Sequence, residues 1–584
     1  MLIACEGPND GSSDVSNNTQ FNNLNKTAEP NTFIDSSLTP SNSTNATFYF
    51  SSSTALSIFR CRLNDLPFTP CYSPIQYTNL TSGNHTFVVQ ATDFNGNTDP
   101  SPALYQWNIN GTELSDPLYF KQWHLKNTIQ AGEDINIEPI WSRCTDDSCK
   151  GEGVRIAVVD NGLEITHEDL ATNIVADKSY NYINFSTTPS AGDHGTSVAG
   201  IIAARDNSVG IRGVASRAEL VGYDLLSAST NINEVDAMVR DAVQNHVSNN
   251  SWGPVDDTAT LEASSAIWRT AINTGHAIGR NGLGTVYVWA AGNGQESGEN
   301  SNYDGYANYR GVIATGAVTY LGQRTYYSEQ GANLLISAPG GEGCAGVVTS
   351  DLTGSAGYNS VLTPWDDLDK NYTICFAGTS ASAPVVSGVV ALMLQANPNL
   401  GWRDVHAILA RSARHNDPTN PDWQTNGAGL TINHNYGFGV VDAEAAVLLA
   451  EIWMNLEAEK TYPTNIEIVN QTIGDNNDSS VTSTLNVTSS GIRNIEFIEI
   501  HFSATDHTNS GDLEVTLVNQ STGTSSRLAN THTCSNCVPY NNWRFGSTRH
   551  LGEVADGNWQ LIVEDKASNN TGTFQSWQLT FYGT

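Results

Sequence analysis

The chain is 584 residues long, too long for a single hydrophobic core, and fits roughly three to four domains. Its hydrophobic fraction of 39% is that of a folded protein, and its formal net charge of -33, from 27 Lys and Arg against 60 Asp and Glu, disfavours nucleic acid and anionic lipid as partners and favours cationic ones. Charged residues make up only 15%, and the richness in Asn, Ser, Thr and Gly suits an extracellular surface.

In chain order, residues 1–30 read as a signal remnant and a polar tether. Leu2-Ile3-Ala4-Cys5 resembles the end of a bacterial lipoprotein signal, in which the Cys becomes the lipidated N-terminus. That resemblance implies an anchor at Cys5 and a place outside the cell or in a bacterial envelope, as in an outer-membrane lipoprotein. The n-region and most of the apolar h-region do not precede it, so a late start codon and a chance likeness both stay open. Elsewhere no apolar run reaches about 18 residues, and no membrane span is expected.

Residues 31–112 alternate in short segments such as 47–50, 57–60 and 85–90, broken by Asn, Ser, Gly and Pro turns, which predicts a small β-sandwich. Cys61 to Cys71, Gly83-Asn-His and the closing Tyr105-Gln-Trp107 resemble bacterial immunoglobulin-like modules, implying a spacer or adhesive unit without chemistry. From 113 to 455 buried apolar strands, at 154–159, 218–222, 285–289, 311–315 and 333–337, alternate with small-residue helices. This predicts an α/β domain with a parallel sheet and helices on both faces. Residues 460–584 return to strands with Gly and Asn turns, a further all-β domain.

Eight of nine cysteines fall into close pairs, Cys61 with Cys71, Cys144 with Cys149, Cys344 with Cys375 and Cys534 with Cys537, so four local disulfides are expected. A redox or zinc half-site at Cys534-Ser-Asn-Cys537 is the alternative, but no second Cys or His pair stands at ligand spacing.

Three motifs carry chemistry. Asp160 closes an apolar strand in Val159-Asp160-Asn161-Gly162, where open α/β sheets place their sites. His194 opens a helix in His194-Gly195-Thr196, and Ser380 opens another in Gly378-Thr379-Ser380-Ala381-Ser382-Ala383-Pro384, with Pro384 tolerated in the first turn. Each is weak alone, since Asp-x-Gly at a strand end is more often a turn. Together, in the order Asp, His, Ser, they resemble the subtilisin superfamily of serine proteases. The resemblance implies Ser380 as nucleophile, His194 as general base and acid, Asp160 as its orienting partner, and Asn293, in Ala290-Ala291-Gly292-Asn293-Gly294, as oxyanion donor.

Ser251-Trp252-Gly253-Pro254-Val255-Asp256-Asp257 further resembles a wall of the specificity pocket in the kexin/furin branch, and Asp304-Gly305-Tyr306 its second pocket acid. Two acids in one slot imply a substrate with Arg or Lys before the cut, because a guanidinium satisfies an otherwise unpaired carboxylate. Asp236 and Glu262 fall at positions acidic in that branch's distal subsite, or are solvated acids among 60. Next to Asp160 stands Asn161 where kexin relatives have Asp, so the resemblance does not carry over a preference for a second basic residue.

The same resemblance implies two Ca²⁺ sites. One uses Asp116, Asp169 and the loop Arg205, Asn207, Val209, Ile211; the other uses Asp256, Glu299 and Glu329 beside the pocket. A third is not expected, since only Asp177 stands in its loop. In residues 460–584, Gly511-Asp512-Leu513-Glu514, Gly557-Asn558-Trp559 and Trp577-Gln-Leu resemble the P (Homo B) domain that follows kexin-type catalytic domains. No basic-terminated propeptide is seen before residue 113. The expected function is a serine endopeptidase acting on proteins and peptides with basic residues; the competing readings are a broad degradative subtilase and an adhesin on an inactive protease scaffold.

Overall fold

A computed structural model describes residues 29–584 apart from 39–44, 65, 79, 81–82, 110–115, 145–147, 361–369, 477–479 and 535–536. Cys5 and its tether lie outside the described residues. The chain divides into two compact units, Met1–Leu114 and Ser115–Thr584.

In the first unit, strands Thr32–Leu38, Ala46–Ser52 and Ile75–Tyr77 form one antiparallel sheet, and Thr69–Cys71, Ile58–Leu63, Gly83–Thr92 and Ala103–Ile109 form another. Alternate residues of both contribute to one core of Phe48, Phe50, Leu63, Phe87, Val89 and Trp107, with Phe48 stacked on Phe87. The Cys61–Cys71 disulfide closes an edge of that core.

The second unit opens with a seven-stranded sheet in the order Ile336–Pro339, Val312–Val318, Val286–Ala290, Val247–Asn250, Arg155–Asp160, Glu219–Asp224, Tyr180–Asn181. Every pairing in it is parallel. The central strands are buried because helices cover both faces; they are mostly apolar, except Val247–Asn250, whose Ser248, Asn249 and Asn250 are buried polar residues. Helix Thr379–Ala396 is long and apolar enough to cross a membrane, yet 83% of it is buried, as befits a core helix. Sequence reasoning did not expect such a stretch; its Ser, Thr and Gly content hid it.

The chain then builds two antiparallel sheets. One holds Lys460–Pro463, Glu467–Ile473, Ile495–Ala504, Tyr540–Ser547 and Gly572–Gly583; the other holds Val481–Val487, Leu513–Asn519, Ser525–Ala529 and Gly557–Asp565. Their inward residues, including Phe502, Leu517, Trp559, Trp577 and Phe581, form a second core that also takes in Tyr303 and Ala332 of the α/β domain. Disulfides join Cys144 to Cys149, Cys344 to Cys375 and Cys534 to Cys537.

Candidate active site

Parallel strands end together, and their carboxyl ends supply most of the site. Asp160 is the last residue of Arg155–Asp160; Ser251 follows the neighbouring strand Val247–Asn250, and Asn293 lies just past the next, Val286–Ala290. Helices Asp193–Ala203 and Thr379–Ala396 begin beside these ends, presenting His194 and Ser380 in their first turns.

Asp160 is fully buried, and its oxygens lie 2.8 and 3.0 Å from His194 Nδ1. Burial of the imidazole works against its charged form, but the Asp160 carboxylate outweighs burial, with Asp193 assisting, and raises its pKa above the ordinary value. Phe376 packs against the His194 ring at 5.3 Å between centroids. With Nδ1 committed to Asp160, Nε2 is the ring nitrogen that this carboxylate leaves unengaged. Ser380 Oγ donates to the Ser251 carbonyl at 3.2 Å, and Ser251 Oγ donates to the Ser380 carbonyl at 3.0 Å.

Asn293 is fixed through its own oxygen. Oδ1 accepts from Thr379 N at 2.8 Å and Thr379 Oγ1 at 2.9 Å, so its amide nitrogen is directed away from Thr379. The backbone N–H of Asn293 donates to Asp256 Oδ1 at 2.9 Å, while Nδ2 lies 3.4 Å from Asp256 Oδ2. Asp256 therefore touches Asn293 as well as lining the pocket.

A pocket of about 240 Å³ opens beside Ser380; Ser251, Trp252, Gly253, Pro254, Asp256 and Asp304 are among its lining. Asp304 is 8% exposed, and burial pushes its carboxyl up to about 7, against the backbone N–H groups of Tyr306 and Ala307 that pull it down. Gly253 lies against this carboxylate: a Cβ there would sit 3.2 Å from Asp304 Oδ2. Glu262 pairs through its backbone with the same segment as Asp304, with its residue exposed. Asp236 is not in the pocket lining; its carboxylate takes Tyr182 OH at 2.8 Å and Arg240 Nε at 2.8 Å. Asn161 Nδ2 donates to Asp193 Oδ1 at 2.9 Å, which places an acid beside the Asp160–His194 pair although residue 161 is an amide. Sequence reasoning passed over this pairing, as it did the Thr379 anchor, although Thr379 stands next to Ser380 in the motif.

Two acidic groups suit a cation. Asp169 Oδ1 is buried without a hydrogen-bond partner, and burial pushes this carboxyl up to about 7, with Asp116 contributing. The loop wraps these acids: Arg205 N donates to the Asp169 carbonyl, Ile211 N to Asp169 Oδ2, Asn207 N to Asp116 Oδ1, and Val209 N to Asn207 Oδ1. Arg212 Nε meets Asp116 Oδ2 at 2.9 Å, so Asp169 is the acid with an open oxygen. In the other group, Asp256, Glu299 and Glu329 bring carboxylate oxygens within 4.8 Å of one another. Burial, then Glu299, raises Glu329 well above the usual carboxylate range. Gly292, at φ +106, makes room for it, since a Cβ would lie 2.1 Å from Glu329 Oε1. Oxygen-only sets with uncompensated acid fit Ca²⁺.

The subtilase family profile matches residues 151–439, and that of the proprotein convertase P-domain matches residues 498–581. Proprotein convertase subtilisin/kexin type 4 of Mus musculus is 32% identical over 485 residues, 80% of this chain and 70% of the relative. The chain belongs to the subtilase family. It falls in the kexin-like group of serine proteases that carry a P-domain. Proprotein convertase subtilisin/kexin type 7 of Homo sapiens is 33% identical over 80% of this chain and 60% of the relative. The dibasic-processing endoprotease of Schizosaccharomyces pombe is 33% identical over 80% and 66%. The chain thus spans about three fifths to two thirds of the length of these two relatives. Among solved structures, the serine protease of Aeromonas sobria matches at TM-score 0.72 and 28% identity, over 80% of this chain and 96% of that one.

Proposed function

We propose that this subtilase is a secreted or surface-anchored endopeptidase that cuts proteins and peptides after Arg or Lys. The observation that carries the reading is an acidic pocket, with Asp304 and Asp256 among its lining, that opens beside Ser380. A buried carboxyl held up to about 7 is costly to ionise alone and gains a bidentate partner when a guanidinium enters. The name of the fission-yeast relative, a dibasic-processing endoprotease, supports the same substrate class.

The residues perform the steps that peptide hydrolysis demands. Ser380 Oγ leaves the Ser251 carbonyl and attacks the scissile carbonyl carbon as its proton passes to His194 Nε2. Asp160 holds the tautomer that makes Nε2 basic and stabilises the imidazolium that forms. Ser380 N and Asn293 Nδ2 donate to the developing oxyanion. His194 then returns its proton to the leaving amine; the acyl-enzyme is hydrolysed by the same steps with water as nucleophile. Calcium, when bound by Asp169 with Asp116 and the loop 205–211, and by Asp256, Glu299 and Glu329, supplies charge balance to these acids. The first unit is assigned as an immunoglobulin-like spacer, and Cys5 as the anchor of a bacterial envelope protein.

The test is a set of peptides differing only in the residue before the cut. Arg and Lys peptides are expected to exceed Leu and Ala by about a hundredfold or more in kcat/KM. Equal values would leave a broad degradative subtilase, and no hydrolysis by folded, calcium-loaded protein would leave the inactive scaffold.

A further inference from the structure

Segment 300–308, which carries Asp304, is stitched along its length to the P-domain. Asn300 Nδ2 donates to Asn530 Oδ1 at 2.7 Å. Asn302 accepts from Gly546 N at 2.7 Å and donates to the Gly546 carbonyl at 3.1 Å. Tyr303, one of the residues lining the pocket, is buried in the P-domain core; its hydroxyl donates to the Asn530 carbonyl at 2.9 Å and accepts from Asn530 N at 3.1 Å. Arg544 Nη2 reaches the Gly305 carbonyl at 2.8 Å, directly after Asp304.

The loop that begins at Asn530 also reaches the other wall. His532 Nε2 lies 3.0 Å from the Ala259 carbonyl, at the end of the turn that follows Asp256. Its ring packs 4.8 Å from Tyr303, and its Cβ fills the space above Gly298, where an added Cβ would sit 2.7 Å away. Asn530 Nδ2 donates to the Gly298 carbonyl at 3.1 Å, one residue before Glu299. His532 N donates to the Gly511 carbonyl at 2.9 Å, and a disulfide joins Cys534 to Cys537 just beyond it. Only glycine fits at 511, since a Cβ would lie 2.4 Å from the His532 carbonyl oxygen.

We propose that Asn530 and His532 are positioning residues for recognition of the basic side chain. They touch neither substrate nor triad. They fix the spacing between the 256–259 turn and the 298–304 segment, and hence the distance between the acids that must converge on one cation. The P-domain of this chain is, on this account, part of the specificity pocket. The inference rests on the proposed preference for Arg and Lys.

The experiment measures kcat and KM for matched Arg and Leu peptides with wild type, His532→Ala, His532→Gln and Asn530→Ala, alongside melting temperature. Losing the hydrogen bonds that either side chain contributes to the brace is expected to lower the Arg-over-Leu ratio about tenfold, through KM for Arg, with Leu turnover little changed. His532→Gln keeps an N–H donor for the Ala259 carbonyl and is expected to restore most of the ratio. Should His532→Ala fail to fold, Asn530→Ala is read in its place. A wild-type ratio near one overturns the pocket reading and this inference together. A high wild-type ratio that survives the loss of the brace overturns this inference alone, as does an equal fall for Arg and Leu peptides.

Discussion

Replacing Asp304 by Asn removes a buried acid of the pocket without changing its shape. Removing one partner of a buried ion pair costs roughly 3–5 kcal/mol, which at about 1.4 kcal/mol per decade is a few hundred-fold or more in kcat/KM for an Arg peptide. The Leu peptide, which never drew on the carboxylate, is expected to change by less than about tenfold, or to improve as an unpaired buried acid is lost. The effect has a pH signature. Burial holds Asp304 up to about 7, and only its ionised form attracts a guanidinium, so each pH unit below about 7 adds about 1.4 kcal/mol to the cost of binding. The Arg-over-Leu ratio of kcat/KM should therefore fall about tenfold per pH unit below that point and level off above it. Taking the ratio cancels the titration of His194, which acts on both peptides. In Asp304→Asn the ratio is expected to be low and flat with pH. The assay is initial-rate kinetics on two peptides across the range from about pH 5.5 to 8.5. A wild-type ratio independent of pH, or an Asp304→Asn variant that keeps its preference, would refute the assignment of Asp304 as the cation's partner.

Ser380→Ala is expected to abolish hydrolysis with the melting temperature unchanged, leaving about 10³ to 10⁴ over the uncatalysed rate; one tenth of wild-type turnover would mean another nucleophile. Asn293→Ala is expected to lower kcat by about 100- to 1,000-fold for Arg and Leu peptides alike, measured under saturating substrate, whereas a selective loss on Arg would place Asn293 in recognition instead. Asp256→Asn is expected to impair both peptides, because Asp256 holds the Asn293 backbone as well as lining the pocket. Chelating calcium is expected to lower the melting temperature more at pH 8 than at pH 5.5. Asp169 at about 7 and Glu329 well above the usual range both exceed their unfolded values, so the calcium-free fold keeps protons that the unfolded chain releases. The contribution of Asp169 is therefore full below the unfolded carboxyl value of roughly 4 and is lost as pH rises through about 7, and that of Glu329 is likewise lost as pH rises. Added Ca²⁺ should remove that slope by mass action, and a melting curve indifferent to chelator would dismiss both sites.

The sequence by itself determined the chemistry that lives in short motifs. Asp160 at a strand end and His194 and Ser380 at helix starts are local facts, because the backbone turn and the side chain are specified by the same few residues. The alternation of buried strands with small-residue helices likewise determined the parallel sheet, since a strand covered on both faces is apolar throughout. Tertiary structure alone decided what depends on residues far apart in the chain. It turned Asp236 toward Tyr182, 54 positions earlier, and it set Asp193 against Asn161 across 32 positions, where the sequence showed only a missing acid. It also brought Asn530 and His532 behind a pocket whose acids lie more than two hundred residues earlier. No spacing rule encodes these meetings: each is fixed by how distant segments pack, and a hydrogen bond between distant loops leaves no periodic trace in either segment.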